Sequence, residues 1–240
     1  MSGHSRWSKL KHFKGALDIK KSAMFTKLGH AVTLAAKQGG GDPEANFKLR
    51  LAIEKARKAN LPKDNIERAI KRGTGELAGE QIEEVIYEAF GPTGTTLVIE
   101  ALTDNKNRTV SSLRRIFNKY GGRMGGQNSV LWMFEKKGII RIVKQEINDE
   151  LEKIELKAID LGAEDIKRED EELVIYTKME DLEKMKKGLE DQGVNIDYAE
   201  VEWFAKDSIK INEATQKKIY AIFAELDEDQ DINDYYTNIE

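Results

Sequence analysis

Apolar positions with helical spacing dominate the first third of the chain. The first stripe predicts a helix from residue 22 to the glycines at 39–41. Its apolar positions are Phe25, Leu28, Val32 and Ala35. A second helix is expected to begin at Asp42-Pro43, an N-cap residue followed by proline, and to end at Asn60-Leu61-Pro62. A third continues to Gly73, so residues 22–73 predict a small three-helix bundle.

After a glycine-containing linker at residues 74–81, the pattern changes to the alternation of β-strands. Residues 85–90 and 96–102 flank the turn Gly91-Pro92-Thr93-Gly94 and predict a hairpin. A helix is expected from Asn107, as its N-cap, to Tyr120. Gly121-Gly122 is its expected stop, and the glycine-rich stretch that follows favours a turn ahead of a strand over 129–134.

The second half of the chain predicts six elements followed by a short return. Strands are expected at 139–143, 165–168, 173–177 and 199–204, with helices at 149–161 and 179–191. The order βαββαβ is the ferredoxin-like split βαβ unit. Residues 206–240 add a strand, a helix at 214–226 and a last strand near Tyr235-Tyr236. These are too few for a separate domain, so we expect them to complete the sheet begun at residue 82.

The predicted fold class is therefore α+β, with an amino-terminal three-helix basic domain followed by two ferredoxin-like α/β domains, one inserted in the other. The expected boundaries are a basic tail at 1–21, the bundle at 22–73, an α/β domain at 82–134 plus 206–240, and an inserted acidic domain at 138–204. The predicted insertion depends on the assignment of the short segment 206–240 to the first α/β domain.

Charge changes this picture because it is segregated along the chain. The net charge is only −4, yet residues 1–73 carry +11, residues 74–140 carry zero and residues 141–240 carry −15. Such segregation indicates a basic front and an acidic back rather than a uniformly mixed surface. The chain has no cysteine, which excludes disulfides, thiol catalysis and cysteine zinc sites. Without a membrane-length apolar run or a secretory signal, we expect a bacterial cytoplasmic protein with no membrane partner.

The basic front predicts nucleic-acid binding. Each lysine or arginine that neutralises a phosphate releases condensed counterions, and aromatic side chains among the cations can stack on unpaired bases. The alternative is a solvated charged face with a disordered tail, which +11 over 73 residues of an otherwise acidic chain disfavours. The candidate contact residues are Arg6, Trp7, Lys9, Lys11, His12, Lys14, Lys20, Lys21, Lys27, Arg50, Arg57, Lys58, Lys63, Arg68, Lys71 and Arg72.

Two other modes of action compete with backbone binding. The helices around Leu61-Pro62 could form a helix-turn-helix, but no dimerisation helix is evident and the basic residues spread over both helices and the tail. Alternatively, the acidic domain could bind a basic protein partner while the helices only keep the chain in solution. The spread of the basic residues favours backbone binding over the helix-turn-helix, and the charge segregation favours nucleic-acid binding over the protein contact.

The sequence contains no convincing motif for a catalytic, metal or cofactor site. Asp227 opens an acidic run, but the calcium-loop positions for glycine and glutamate hold Ile232 and Asn238. The three histidines are scattered, and Gly121–Gly126 lacks the Lys-Ser/Thr of a phosphate loop. Asp104–Arg108 could be a binding loop, although helix capping explains it. We therefore expect a non-enzymatic protein with no metal and no cofactor.

Several long motifs resemble the YebC/PmpR family, which includes the mitochondrial translational activator of cytochrome c oxidase. The resemblance covers essentially the whole chain and is densest over residues 3–134. The motifs are Gly3–Trp7, Phe25–Leu28, Gly39–Asn46, Asn60–Gly73, Tyr87–Pro92 and Asp104–Thr109. Arg6 stands where lysine is frequent, and Leu131–Phe134 is a variant of the family's aromatic strand.

The resemblance implies a basic helical domain and two α/β domains, one inserted in the other, which agrees with the architecture predicted from the residues. It also implies one of two functions. Some members are described as probable transcriptional regulators that bind DNA. Others are described as ribosome-associated factors that help synthesis through proline-rich stretches. The residues leave DNA and ribosomal RNA open, and the ribosome is a partner only under the second function.

Overall fold

The computed structural model describes residues 21–79, 81–143, 150–169 and 172–239. Its helices are α1 (Lys21–Gly39), α2 (Phe47–Lys58), α3 (Lys63–Gly73), α4 (Lys106–Lys119), α5 (Leu151–Asp160), α6 (Leu182–Glu190) and α7 (Glu213–Glu228). Its strands are β1 (Glu83–Phe90), β2 (Thr96–Thr103), β3 (Arg123–Met124), β4 (Phe134–Val143), β5 (Asp165–Arg168), β6 (Glu172–Lys178), β7 (Tyr198–Ala205) and β8 (Ile232–Thr237). They form two compact units: a smaller one at residues 135–204, and a larger one on either side of it in the chain.

The first part of the larger unit is the predicted bundle of three helices. The helices α1, α2 and α3 enclose an apolar core in which Val32, Leu49 and Ala56 are completely buried. The stripe that predicted α1 points into this core, since Leu28 and Ala35 are buried as well. The helix periodicity therefore identified the inner face of α1 correctly.

The start of α2 differs from the prediction. Asp42 does not cap it; its carboxylate closes a turn ahead of the helix. The N-cap is the buried Asn46, whose side-chain oxygen accepts the N–H of Leu49 at 3.1 Å. Its amide nitrogen donates to the carbonyls of Ala35, at 2.9 Å, and Gly40, at 2.8 Å. One buried side chain thus satisfies backbone groups at the end of α1 and at the start of α2.

A four-stranded antiparallel sheet in the order β3-β1-β2-β8 completes the larger unit. Helices α4 and α7 cover one of its faces, where Leu97 and Ile99 of β2 share a core with Phe117 and Ile222. The helix α1 also contacts β2 and β8. Because β8 pairs with β2, residues near the end of the chain return to the sheet that begins at residue 83.

Three further local predictions in this unit are wrong. Residues 131–133 form a 3₁₀ turn rather than part of a strand over 129–134, and β4 begins only at Phe134. The N-cap of α4 is Asn105, whose side chain accepts the N–H of Arg108, and not Asn107. Residues 206–212 make an isolated bridge, Ile209 to Ile239, in place of the expected strand.

The smaller unit has the predicted βαββαβ order. Its sheet runs β5-β6-β4-β7, the strand order of a ferredoxin-like fold. Consecutive residues along β4 and β6 are buried, so both faces of these strands are covered; Ile140, Ile142, Leu173 and Ile175 are fully buried. The α+β class is thus confirmed. Within the described ranges, no helix has the length and apolar character needed to cross a bilayer.

Candidate nucleic-acid interface

The predicted contact residues of the tail lie outside the described residues. They are Arg6, Trp7, Lys9, Lys11, His12, Lys14 and Lys20. Lys21 is the first residue of α1, and its side chain also lies outside the description. The interface can therefore be assembled only from the cations of α1, α2 and α3.

Lys27 is directed into the protein. Its ammonium donates to the carbonyls of Leu226, at 3.2 Å, and Asp227, at 2.8 Å, near the carboxy-terminal end of α7. Burial lowers the pKa of Lys27 to about 8, although the carboxylates of Asp227 and Asp229 raise it. This lysine therefore links the bundle to the sheet domain of the same unit and has little freedom to reach a phosphate.

Two further predicted cations also have contacts within the chain. The guanidinium of Arg50 donates to the carbonyl of Pro43 at 3.1 Å and lies over the Phe47 ring. Lys63 pairs with Glu67 at 3.5 Å, but both side chains are largely exposed. An exposed pair of this kind contributes little to stability, so the ammonium of Lys63 can exchange its partner at small cost.

The remaining predicted cations are exposed. They are Arg57, Lys58, Arg68, Lys71 and Arg72. Within the described part of the chain, the guanidinium groups of Arg68 and Arg72 have neither a hydrogen bond nor an ion pair. Because the two residues are four positions apart on α3, their side chains lie on the same face of the helix. They form the best-placed pair of available positive charges in the bundle.

Arg68 and Arg72 border a cleft between α1 and α3 with a volume of about 570 Å³. This α1–α3 cleft is lined by Ser22, Phe25, Thr26, Gly29, His30, Thr33, Leu61, Asn65, Arg68, Ala69, Arg72 and Ile82. Hydroxyl, imidazole and amide groups thus stand beside the arginines, with apolar groups from Phe25 and Leu61 among them. A cleft of this make-up can hold a phosphate against the arginines and a planar group against the apolar surface.

Close packing of α1 against α3 shapes this cleft. A Cβ atom on Gly73 would lie 2.3 Å from the carbonyl oxygen of Thr33 and 2.7 Å from the Cβ of Ala36. Only glycine therefore allows the two backbones to approach so closely at the end of α3. Thr33 adds a buried hydrogen bond to the carbonyl of Ala69, at 3.1 Å. These contacts fix the position of α3, and with it the positions of Arg68 and Arg72.

The sequence analysis missed the polar groups that accompany the arginines. Asn65 precedes Arg68 by three residues and shares its face of α3, a spacing that could have identified it. Ser22, Thr26 and His30 follow the same rule on α1. No local signal shows that these two faces meet, because that depends on how the helices cross.

Asp104–Arg108, considered above as a binding loop, has a structural role. The guanidinium of Arg108 pairs with the buried carboxylate of Asp231 at 2.6 Å and with Asp104 at 2.7 Å. Burial tends to raise the pKa of Asp231, but hydrogen bonds from Arg108 and Thr109 outweigh it and hold that pKa below its usual value. The segment thus fastens the start of α4 to the residues that lead into β8.

Comparison with known proteins gives matches over nearly the whole chain. Residues 5–76 match the model described as the TACO1/YebC protein N-terminal domain. Residues 82–239 match the model of the TACO1/YebC second and third domain. The two matches meet at the linker between the bundle and the first sheet.

Several relatives of similar length share one descriptive name. A probable transcriptional regulatory protein of Thermoanaerobacter pseudethanolicus is 48% identical over 240 residues, which is all of this chain and 97% of the relative. One of the same name from Thermotoga maritima is 46% identical over 240 residues, covering 94% of the relative. The crystal structure of a conserved hypothetical protein from Aquifex aeolicus is 42% identical, with a TM-score of 0.83 over 93% of this chain and 91% of that one.

Proposed function

Because the chain belongs to the TACO1/YebC family, we propose that it is a non-enzymatic, cytoplasmic regulator of gene expression that binds DNA through its basic amino-terminal helices. The names of its relatives, probable transcriptional regulatory proteins, support the regulatory role. The net charge of +11 over residues 1–73 supports binding to a polyanion.

The observation that carries the proposal is the pair Arg68 and Arg72 at the α1–α3 cleft. Arginine binds phosphate through two parallel N–H donors, a geometry that lysine cannot reproduce. Neither guanidinium has to break an internal ion pair within the described structure before it meets a phosphate. Two such groups one helical turn apart suit consecutive phosphates of a backbone, a mode of binding that carries no base sequence by itself.

A ribosome-associated role in translation, with ribosomal RNA as the ligand, is the second candidate. The observation that favours it is the apolar surface of Phe25 and Leu61 inside the cleft. Such a surface suits an unstacked base, which folded RNA offers in its loops and bulges more readily than a DNA duplex does. Assistance to the synthesis of proline-rich stretches belongs to this second candidate only through the family resemblance.

Crosslinking in cells, followed by sequencing of the bound DNA and RNA, tests the proposal. We expect enrichment of promoter DNA, and loss of that enrichment in a variant carrying Arg68→Ala and Arg72→Ala. The matched control carries Arg114→Ala and Lys217→Ala, which remove two exposed cations of the same unit outside the bundle. Enrichment of ribosomal RNA would select the second candidate. Enrichment of neither polymer would contradict both.

A further inference from the structure

A second feature of the larger unit stands apart from the bundle: an exposed tryptophan on a well-anchored loop. The side chain of Trp132 is 66% exposed, more than any other large apolar side chain in the described part of the chain. A single exposed apolar side chain is common on protein surfaces, but one that the structure holds in place loses little entropy on binding and is therefore suited to an interaction site.

The loop Gly125–Trp132, which carries this ring at its end, is held in place by hydrogen bonds to the carboxylate of Glu88. That carboxylate is buried on β1 and accepts three main-chain N–H groups, from Asn128 at 2.5 Å, Val130 at 2.6 Å and Leu131 at 2.8 Å. Convergent N–H donors stabilise a buried negative charge, so the charge and the loop hold each other in place.

Two more hydrogen bonds hold Trp132, one at its ring and one at its main chain. The indole N–H of Trp132 donates to the carbonyl of Ser129 at 3.2 Å. The ammonium of Lys206 donates to the main-chain carbonyl of Trp132 at 2.8 Å. The indole is therefore presented to solvent from a constrained backbone, with a cation bound beside it.

The surroundings of the ring favour an anionic partner. Residues 121–134 contain no aspartate or glutamate, in a chain with 43 acidic residues. The ammonium of Lys206 lies at the main-chain carbonyl of Trp132, and the loop carries the exposed amides of Gln127 and Asn128. An aromatic face with a neighbouring cation and with amide groups on the same loop matches the stacking platforms that bind unpaired bases of nucleic acids.

We propose that Trp132 and the Gly125–Trp132 loop form a second nucleic-acid site, which stacks an unpaired base on the indole. The inference rests on the proposed nucleic-acid function of the chain and adds a base contact to the phosphate contacts of the bundle. It assigns to this site the single-stranded part of a ligand whose phosphates are bound elsewhere on the molecule.

Two RNA probes test this assignment: a hairpin whose loop is a run of unpaired uridines, and a fully paired duplex with the stem sequence. In the full-length protein, Trp132→Ala should lower the affinity for the hairpin on the order of tenfold and leave the duplex affinity unchanged. Trp132→Phe keeps an aromatic face and should retain most of the hairpin affinity. Leu156→Ala removes a side chain that is 64% exposed in the smaller unit and should change neither.

The outcomes separate this inference from the function on which it rests. If the wild type binds both probes and Trp132→Ala binds the hairpin equally well, or loses both probes equally, the stacking site is overturned and the proposed function stands. If the wild type binds neither probe nor duplex DNA, the proposed function fails and the inference fails with it. If Trp132→Ala binds both probes normally and loses a protein partner instead, the loop is a protein contact and the stacking site is overturned.

Discussion

At the residue scale, Asn46 holds two helices with one side chain. Its amide nitrogen donates to the carbonyls of Ala35 and Gly40, and its amide oxygen accepts the N–H of Leu49. The sequence pattern favoured Asp42 because an acidic residue before proline is a common helix start. The correct assignment needed the carbonyl of Ala35, eleven residues away and accessible only once α1 has turned back on α2. The choice of Asn46 as the N-cap therefore depends on tertiary packing and not on the local sequence.

Asn46→Ala should accordingly destabilise the bundle. The substitution leaves buried backbone groups of two helix ends without partners, at a cost of about 3 kcal/mol in the free energy of unfolding. Asp42→Ala is the matched control, because its exposed side chain only closes a turn, and it should cost less than about 1 kcal/mol. Urea unfolding followed by circular dichroism measures both. Equal losses for the two variants would mean that the cap assignment is wrong.

At the scale of elements, apolar periodicity and glycine or proline positions predicted the helices α1, α3 and α4 and the β1-β2 hairpin from the sequence. They failed at residues 129–134, where the sequence has the apolar residues of a strand. Val130 and Leu131 instead donate their N–H groups to the carboxylate of Glu88 on β1. The α1–α3 cleft was likewise beyond prediction, because it depends on the close approach at Gly73 and not on the pattern of either helix.

Gly73→Ala tests that approach. The new methyl group would collide with the Thr33 carbonyl, so we expect a loss of about 2 kcal/mol in stability and a displaced α3. Gly29→Ala, on α1, is the control, since its methyl group would meet nothing within 4 Å outside its own helical turn and should stabilise the helix by up to about 1 kcal/mol. Thermal unfolding of the two variants should move in opposite directions. A Gly73→Ala variant as stable as the wild type would contradict the close-packing account.

At the scale of the whole molecule, the acidic smaller unit interrupts the sequence of the larger unit, which begins with the basic bundle. Residues 135–204 carry a net charge of −9. The main-chain N–H of Lys206 donates to the carbonyl of Met133 at 2.8 Å. The two points at which the chain leaves the larger unit and returns to it, before and after residues 135–204, therefore lie close together. Such neighbouring ends are typical of a domain insertion.

Replacing residues 135–204 by a short glycine-serine linker should therefore give a folded protein that still binds nucleic acid, with affinity equal to or above that of the full chain. The reason is that the deletion removes negative charge and leaves the bundle and its sheet intact. Circular dichroism measures whether the product is folded, and a titration with duplex DNA measures its affinity. An unfolded product would contradict the insertion, and a folded product without affinity would show that binding requires the acidic unit.

The central claim is that Arg68 and Arg72 contact phosphates, and the salt dependence of binding tests it most directly. For the purified full-length protein and duplex DNA, the plot of log affinity against log salt concentration should become shallower by about two when both arginines are changed to alanine. The variant with Arg114→Ala and Lys217→Ala should keep the wild-type slope. An unchanged slope in the Arg68→Ala, Arg72→Ala variant would contradict the claim.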